Sequence, residues 1–429
     1  MRSRLLVYCL CLLLAAASFK ETIALEKGEN VISWTDCVKI TLRNNPELKS
    51  SRESVHQKKY SKGIARSSML PQVSAGVSGS KSADEDNNYT AEKRYSYSLS
   101  AKQLIFDGFK SYYDLRGAKS DIESAKRSYD VTSVSVRYDL RKAFITLQEA
   151  QSMIKIRKGI LKRRKHVMDL VRMKYRSGTE HRGSFYSARA DYVQAEANLK
   201  SAVRAVTQAR TNLLCLMGLD LSGKVSIKEE GSLAMAYMEK PDFNSIISDH
   251  PSMRKYRADV KSAEYALQSA KLAFSPQIYG SASVGRSGDS MSNMSGNWSL
   301  GFEFTAPLFE GGETWYGYKK AQSVYRQAKY EEKKMRDDLV QTMEEAWNSL
   351  MDSIDDVKVK KSSLQAAQER SMIGEKQYSI GTLTFDNWTI IENNLASAEK
   401  LYIEARANAL TAEAQWIQAT GGSLEYKIR

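Results

Sequence analysis

The chain has 429 residues and a formal net charge of +14, from 64 Lys and Arg against 50 Asp and Glu. A nucleic-acid-binding chain gathers such a surplus into a basic patch, whereas here Asp and Glu are interspersed with Lys and Arg, the pattern of solvated helical faces, so nucleic acid is excluded as a partner. Of the four cysteines, Cys9 and Cys11 lie in the first apolar run; the remaining two, Cys37 and Cys215, are widely separated and do not make a disulfide scaffold, and whether they are bridged stays open.

The first residues read as an export leader. Arg2 and Arg4 precede an apolar run from Leu5 to Ala17, and Thr22-Ile23-Ala24 supplies small residues at a cleavage site, so residues 1–24 are expected to be a signal peptide. The run is too short to span a bilayer as a helix, and no later segment is apolar enough to do so.

Elements then follow in a repeating order. A short helix over about Trp34 to Asn44 leads to Pro46, and a second helix runs to about Met69. Alternating segments from Gln72 to Lys81 and from Tyr95 to Phe106 read as strands, joined by the polar stretch SADEDNNYTAEKR. A helix of extreme length is expected over about Phe109 to Arg176, and a last one over about Ser184 to Met217.

The same text then returns. Pro251 and Pro276 repeat the spacing of Pro46 and Pro71, and SPQIYGSASVG from Ser275 repeats LPQVSAGVSGS from Leu70. From Phe106 onward the copies align at a single offset: Phe106 on Phe309, Gly108 on Gly311, Phe144 on Trp347, Tyr175 on Tyr378, Gly178 on Gly381, Gly218 on Gly421. An internal duplication is therefore expected, with residues 25–240 as the first copy, 241–422 as the second and 423–429 as a short tail. The second copy predicts strands over about Gln277 to Arg286 and Asn297 to Ala306, with SGDSMSNMSG as their loop, and helices over about Gly312 to Ser379 and Phe385 to Thr420.

A rod of that length must bury a stripe against neighbours, because propensity alone does not hold a lone helix. Met335, Leu339, Met343, Ala346, Leu350, Ile354 and Val357 recur with a period nearer eleven than seven, which predicts little left-handed supercoiling. Trp347 and Met351 add a second apolar edge, as in a stave of a closed wall.

The strands raise a separate problem. Trp298, Leu300, Phe302 and Phe304 alternate with Ser299, Gly301 and Glu303, and Tyr95, Tyr97 and Leu99 repeat the pattern more weakly. Strands of this length suit a bilayer, with the apolar set facing lipid. A membrane sheet has to close on itself, and four strands per chain cannot, so oligomerisation is expected, with three chains giving twelve strands and room for a pore.

The ordered set of NNPEL at Asn44 to Leu48, the two proline-led strands, LIFDG, PLFEGG at Pro307 to Gly312 and the repeated Y-x-x-G-T resembles the TolC-like outer membrane efflux family over nearly the whole mature chain. The resemblance implies an α+β fold. Long antiparallel helices would form an α-helical tunnel in the periplasm, and four strands per chain would complete a twelve-stranded outer membrane barrel in a homotrimer. It implies an exit duct of a tripartite efflux or type I secretion system, working passively beside a periplasmic adaptor (membrane fusion protein) and an inner-membrane transporter. On this resemblance Phe106, Gly108, Pro307, Phe309, Gly311 and Gly312 form the strand-to-helix turns, and Gly178, Thr179, Gly381 and Thr382 the periplasmic tip that meets the adaptor. It also implies acidic residues just after the second tip turn. This chain carries Asn387 and Ile390 there, so Asp386 and Asn387 become the gate candidates, with Glu392 nearby. Arg182 and Arg189 are further tip candidates on charge.

No catalytic or metal constellation is present: His56, His166, His181 and His250 are scattered, without HExxH, CxxC, a phosphate loop or G-x-S-x-G, so neither an enzyme nor a cofactor is expected. A periplasmic coiled-coil scaffold without a pore and a surface adhesin stay open as alternatives.

Overall fold

The computed structural model describes residues 30–83, 91–223, 225–228 and 239–425; the expected signal peptide and the residues 84–90 of the first hairpin connection lie outside them. In chain order the elements are β1 (Asn30–Ile32), α1 (Trp34–Asn44), α2 (Pro46–Ser67), β2 (Gln72–Ser82), β3 (Glu92–Phe106), α3 (Lys110–Arg176), α4 (Arg182–Met217), β4 (Val225–Ile227), α5 (Phe243–Asp249), α6 (Pro251–Leu272), β5 (Gln277–Ser290), β6 (Asn293–Thr305), α7 (Glu313–Ser379) and α8 (Phe385–Ala419).

The duplication is visible in the element lengths. Helices α3 and α7 both have 67 residues, and α2 and α6 both have 22. Pro46 and Pro251 occupy the first turn of α2 and α6, where a missing N–H costs nothing. At 1.5 Å per residue, α3 and α7 are rods of roughly 100 Å. Helix α3 packs against α2 and α6 at one end and α4 and α8 at the other, while α7 packs against α6 and α8. Four rods thus lie side by side at every level.

Two equivalent cores hold these rods at mid-length. In the first copy Leu140, Ala143, Phe144 and Leu147 of α3 meet Ala209, Leu213, Leu214 and Met217 of α4, with Cys37 of α1 and Leu48 of α2. In the second, Met343, Ala346, Trp347 and Leu350 of α7 meet Ala412 and Trp416 of α8, with Met253 of α6. Each fully buried Leu-sized side chain stabilises the fold by about 1.5–3 kcal/mol. The first core also takes in Ile32, Val225 and Ile227, from the parallel pairing of β1 with β4. Neither of these three-residue strands is anticipated from the sequence. Residues 423–425 are held to this core: Leu424 is buried in it, Arg137 donates to the Ser423 carbonyl (2.9 Å) and Ser133 to Glu425 (3.0 Å). Cys37 and Cys215 are both free thiols.

Between this belt and the sheet, the copies meet along a polar seam. Ser262 and Ser269 of α6, two turns apart, donate to Asp121 and Asp114 of α3, also two turns apart and each at 2.5 Å. Ser120 donates to the Ala258 carbonyl (2.9 Å) and Ser124 to Asp259. The small side chains let the helices approach closely, and hydrogen bonds replace apolar contact there.

The four long strands form one antiparallel sheet in the order β2-β3-β5-β6. SGDSMSNMSG is not a loop, as the sequence suggests; β5 and β6 extend through it and leave only Met291 and Ser292 as the turn. Ser and Gly have poor strand propensity, but in-register pairing such as Ser287 with Ser295 satisfies their backbone and outweighs it. Residues Val73, Ala101, Ala282 and Leu300 form one row across the sheet, and Ala75, Leu99, Val284 and Trp298 the next. The opposite face carries Ser74, Ser100, Ser283 and Ser299, then Gly76, Ser98, Gly285 and Asn297, then Ser78, Ser96, Ser287 and Ser295. Hydroxyl pairs at 2.8 Å join Ser74 to Ser100, Ser78 to Ser96 and Ser283 to Ser299. The outer edges of β2 and β6 have no strand partner among the described residues.

Candidate functional site: the sheet junctions and the helical tip

Trp298, Leu300, Phe302 and Phe304 lie on one face of β6 and are 68–79 % exposed, a patch that a soluble monomer does not leave open. Ile105 and Phe302 both reach over Gly280, so the apolar surface continues from β6 across β5 to β3. Among the described residues no helix is long and apolar enough to cross a membrane.

Each strand pair turns into a long helix through two consecutive left-handed residues. In the second copy these are Gly311 (φ 62°) and Gly312 (φ 90°), beyond Pro307, where β6 has already ended at Thr305. In the first copy they are Gly108 (φ 67°) and Phe109 (φ 69°), the one non-glycine with positive φ among the described residues. Phe109 packs edge-on against Phe106 at 5.8 Å, which helps hold a conformation that costs an L-residue about 1–2 kcal/mol. Asp107 then accepts from the Ser111 N–H (2.8 Å) and hydroxyl (2.5 Å), and Glu310 accepts from Thr314, its equivalent in the second copy. A carboxylate before the first turn also complements the helix dipole. Leu308 and Phe309 are almost fully exposed beside the turn.

At the far ends of α3 and α7, the repeated Y-x-x-G-T closes each helix. The Thr179 N–H reaches the Lys174 carbonyl (2.9 Å) and the Gly178 N–H the Tyr175 carbonyl (3.1 Å); Thr382 and Gly381 repeat this on Gln377 (3.0 Å) and Tyr378 (3.2 Å). Gly178 and Gly381 are left-handed, with φ of 77° and 84°. This is the Schellman arrangement, and its left-handed position favours glycine. His181 and Thr384 cap the returning helices by accepting from the N–H groups of Ser184 and Asn387.

Side chains behind these turns form a cluster that the sequence reading misses. Tyr378 stacks on Trp388 with ring centres 4.3 Å apart, meets Phe385 edge-on, and packs with Val167 and Val171 of α3. Its hydroxyl donates to Glu180 (3.1 Å), Glu180 also accepts from Ser184 (2.9 Å), and the Lys174 ammonium donates to the Tyr378 carbonyl (2.6 Å). Burial, reinforced by the Glu180 carboxylate, pushes the Tyr378 phenol well above its ordinary range. The repeated tyrosine and the Trp in FDNW are the only sequence signals for this cluster. Its partner Glu180 lies in the other copy's turn.

Higher up, Arg163 of α3 forms two bonds to Glu399 of α8 (2.6 and 3.1 Å) and reaches Glu392 at 3.5 Å. Arg164 pairs with Asn393 and Asp191. Glu392 is buried and also accepts from Ser371, so it faces α3 and α7 and is not available to the tip surface. Asp386 and Asn387 are exposed in the first turn of α8, and Ile390 is exposed one turn on. Arg182 and Arg189 are exposed on α4, with Arg182 bonded to the Tyr186 hydroxyl at 3.1 Å. The tip residues therefore fall into a buried linking cluster and an exposed set. Among the described residues no group of His, Cys, Asp and Glu could hold a metal ion.

A sheet apolar on one face and hydroxyl-lined on the other, continuous with staves of roughly 100 Å, defines a membrane channel with a helical tunnel. Comparison with known proteins agrees. The family model described as outer membrane efflux protein matches twice, over residues 38–219 and 243–422. The outer membrane efflux protein BepC of Brucella suis biovar 1 is 21% identical over 431 residues, covering 98% of this chain and 92% of the relative. The crystal structure of CusC superposes with a TM-score of 0.82 at 15% identity, covering 90% of this chain and 91% of that one. The CmeC outer membrane channel of Campylobacter jejuni gives 0.79 at 18% identity, covering 94% and 92%. The chain belongs to the outer membrane efflux protein family. It is an outer membrane efflux channel extending into the periplasm, which sets aside a poreless scaffold or adhesin.

Proposed function

We propose that three copies of the chain close a twelve-stranded barrel and a continuous helical tunnel. This homotrimer gives substrates a passive exit from an inner-membrane transporter, docked through a periplasmic adaptor, to the exterior. The observation that carries this is the four-stranded sheet, with unpaired edges at β2 and β6 and an exposed apolar face. Backbone edges and lone polar groups are not tolerated in hydrocarbon, so β2 of one chain pairs with β6 of the next. Trp298, Leu300, Phe302 and Phe304 then face outer membrane lipid, and the serine rows face the lumen. Phe106, Gly108, Pro307, Phe309, Gly311 and Gly312 redirect the chain from barrel to tunnel. The chain itself catalyses no reaction and needs no cofactor.

At the other end, the exposed turns Gly178-Thr179 and Gly381-Thr382 meet the adaptor, and Asp386 and Asn387 narrow the entrance. The linking cluster around Tyr378 supports this division, because it ties the two hairpin ends of one chain into a unit and leaves the turns outside it. Reconstitution into planar bilayers tests the duct. The protein should conduct in discrete steps, and Asp386→Arg should weaken block by multivalent cations added from the tip side. Photo-crosslinkers at Thr179 and Thr382 should capture a periplasmic adaptor in cells. A protein that inserts without conducting, or tips that capture nothing in a pump-bearing strain, would overturn the reading.

A further inference from the structure

The polar face of the sheet carries its charge in a pattern that a duct does not by itself require. Its three central rows hold only Ser, Gly and Asn. Directly below them, towards the strand-to-helix turns, Lys102 of β3 sits in register with Ser281. Its ammonium crosses β5 to Glu303 of β6, 2.9 Å away, and lies 4.3 Å from the centre of the Tyr279 ring on the strand between. Three strands from both copies thus build one compact ion pair. The next charged side chains on this face of β3 are Arg94 and Glu92, at the opposite end of the strand.

A water-filled lumen with low-dielectric walls focuses the field of any uncompensated charge. Three lysines, or three glutamates, at one level of a narrow barrel would enrich ions of one sign and repel cargo of the other. Paired at contact distance, the two charges cancel beyond a Debye length of about 8 Å. The serine hydroxyls contribute no charge and rotate to donate or accept as the passing group demands. We infer that the serine-lined stretch of the barrel is a charge-neutral conduit, held neutral at its inner end by the Lys102–Glu303 pair, through which cationic, anionic and uncharged cargo pass alike. Discrimination by charge is then left to the periplasmic end. The inference rests on the reading that the serine face lines the lumen.

Charged thiol reagents applied from outside the cell test both statements separately. In a Cys215→Ser background, Ser283→Cys places a thiol in the lowest serine row, next to the pair, and Phe302→Cys places one on the opposite face. A cationic and an anionic methanethiosulfonate should modify Ser283→Cys in the same ratio as a free small thiol. Adding Glu303→Gln should raise the anionic-to-cationic ratio about threefold, Lys102→Gln should lower it comparably, and the double variant should restore it. A ratio strongly biased with the pair intact, or unmoved by either single variant, overturns the neutral conduit. A Ser283→Cys thiol that reacts with neither reagent overturns the lumen assignment instead.

Discussion

The two copies end their long helices with the same backbone and surround it with different side chains. In both, a tyrosine three residues before the glycine stacks on an aromatic ring of the returning helix: Tyr175 on Phe185 and Tyr378 on Trp388. The first pair is partly exposed, whereas the second is buried against α3 and bonded to Glu180. The junctions differ likewise. Gly108 lies against Ser275, where an added Cβ would come within 2.2 Å, while Gly311 has open space around it. Duplication preserved what the backbone demands, namely caps, left-handed turns and register. It let contacts diverge wherever one copy meets the other, because those contacts are not equivalent in a single chain.

The largest effect should come from the sheet, where the copies are expected to agree. Leu99 and Phe302 occupy equivalent positions on the apolar face. Replacing either with Arg puts a charge near mid-bilayer at about 2–4 kcal/mol per strand. Both variants should fail to reach the outer membrane, while Ser299→Arg on the other face should insert. Fractionation decides this, and insertion of all three equally would mean that the faces are misassigned.

The junctions should separate the copies. Gly108→Ala and Gly311→Ala both place an L-residue in the left-handed region, at about 1–2 kcal/mol. Only Gly108→Ala also collides with Ser275. It should lower the yield of assembled protein sharply, with Gly311→Ala close to wild type; equal yields would show that the close approach relaxes at no cost.

The caps of α2 and α6 separate them again. Asn45 accepts from the Leu48 N–H and donates to the Leu216 carbonyl at 2.8 Å. In the second copy His250 stands in its place. His250 Nδ1 accepts from the Ser252 N–H, so Nε2 bears the proton, and it finds no acceptor among the described residues. Burial holds the imidazole down to about 4, below the ordinary 6.5. A folded-state value below the unfolded one means that full stability is present above about pH 6.5. It is lost as pH falls towards 4, by about 3 kcal/mol in all. His250→Asn should remove most of that acid loss in thermal melts at pH 7 and 4.5, and an unchanged acid shift would place the sensitivity elsewhere.

The smallest effect on the fold should come from the tip. Nothing lies within reach of a Cβ at Gly178 or Gly381, so valine there costs only the left-handed backbone, about 1–2 kcal/mol, at the end of a rod. Gly381→Val should insert and assemble normally but export poorly; normal export would remove the turn from the functional residues.

Much of this molecule was legible because its signals are local or repeated. The Pro46 and Pro251 spacings mark helix starts, the alternation from Trp298 to Phe304 marks a strand, and one offset ties the glycines of both turns together. What escaped depends on distance along the chain. Strands β1 and β4 are three residues each and exist through pairing with one another. The bond from Tyr378 to Glu180 and the Arg163–Glu399 pair join residues of different copies, and no spacing announces them. The burial of Glu392 on α8 is not legible either, because an isolated carboxylate carries no mark of the face it occupies.

Closure of the sheet between chains decides the rest, and the mass of the intact complex in mild detergent measures it directly. Three chains per particle is the result expected from four strands each. A stable monomer or dimer would contradict the account, because neither closes an open barrel from this sheet.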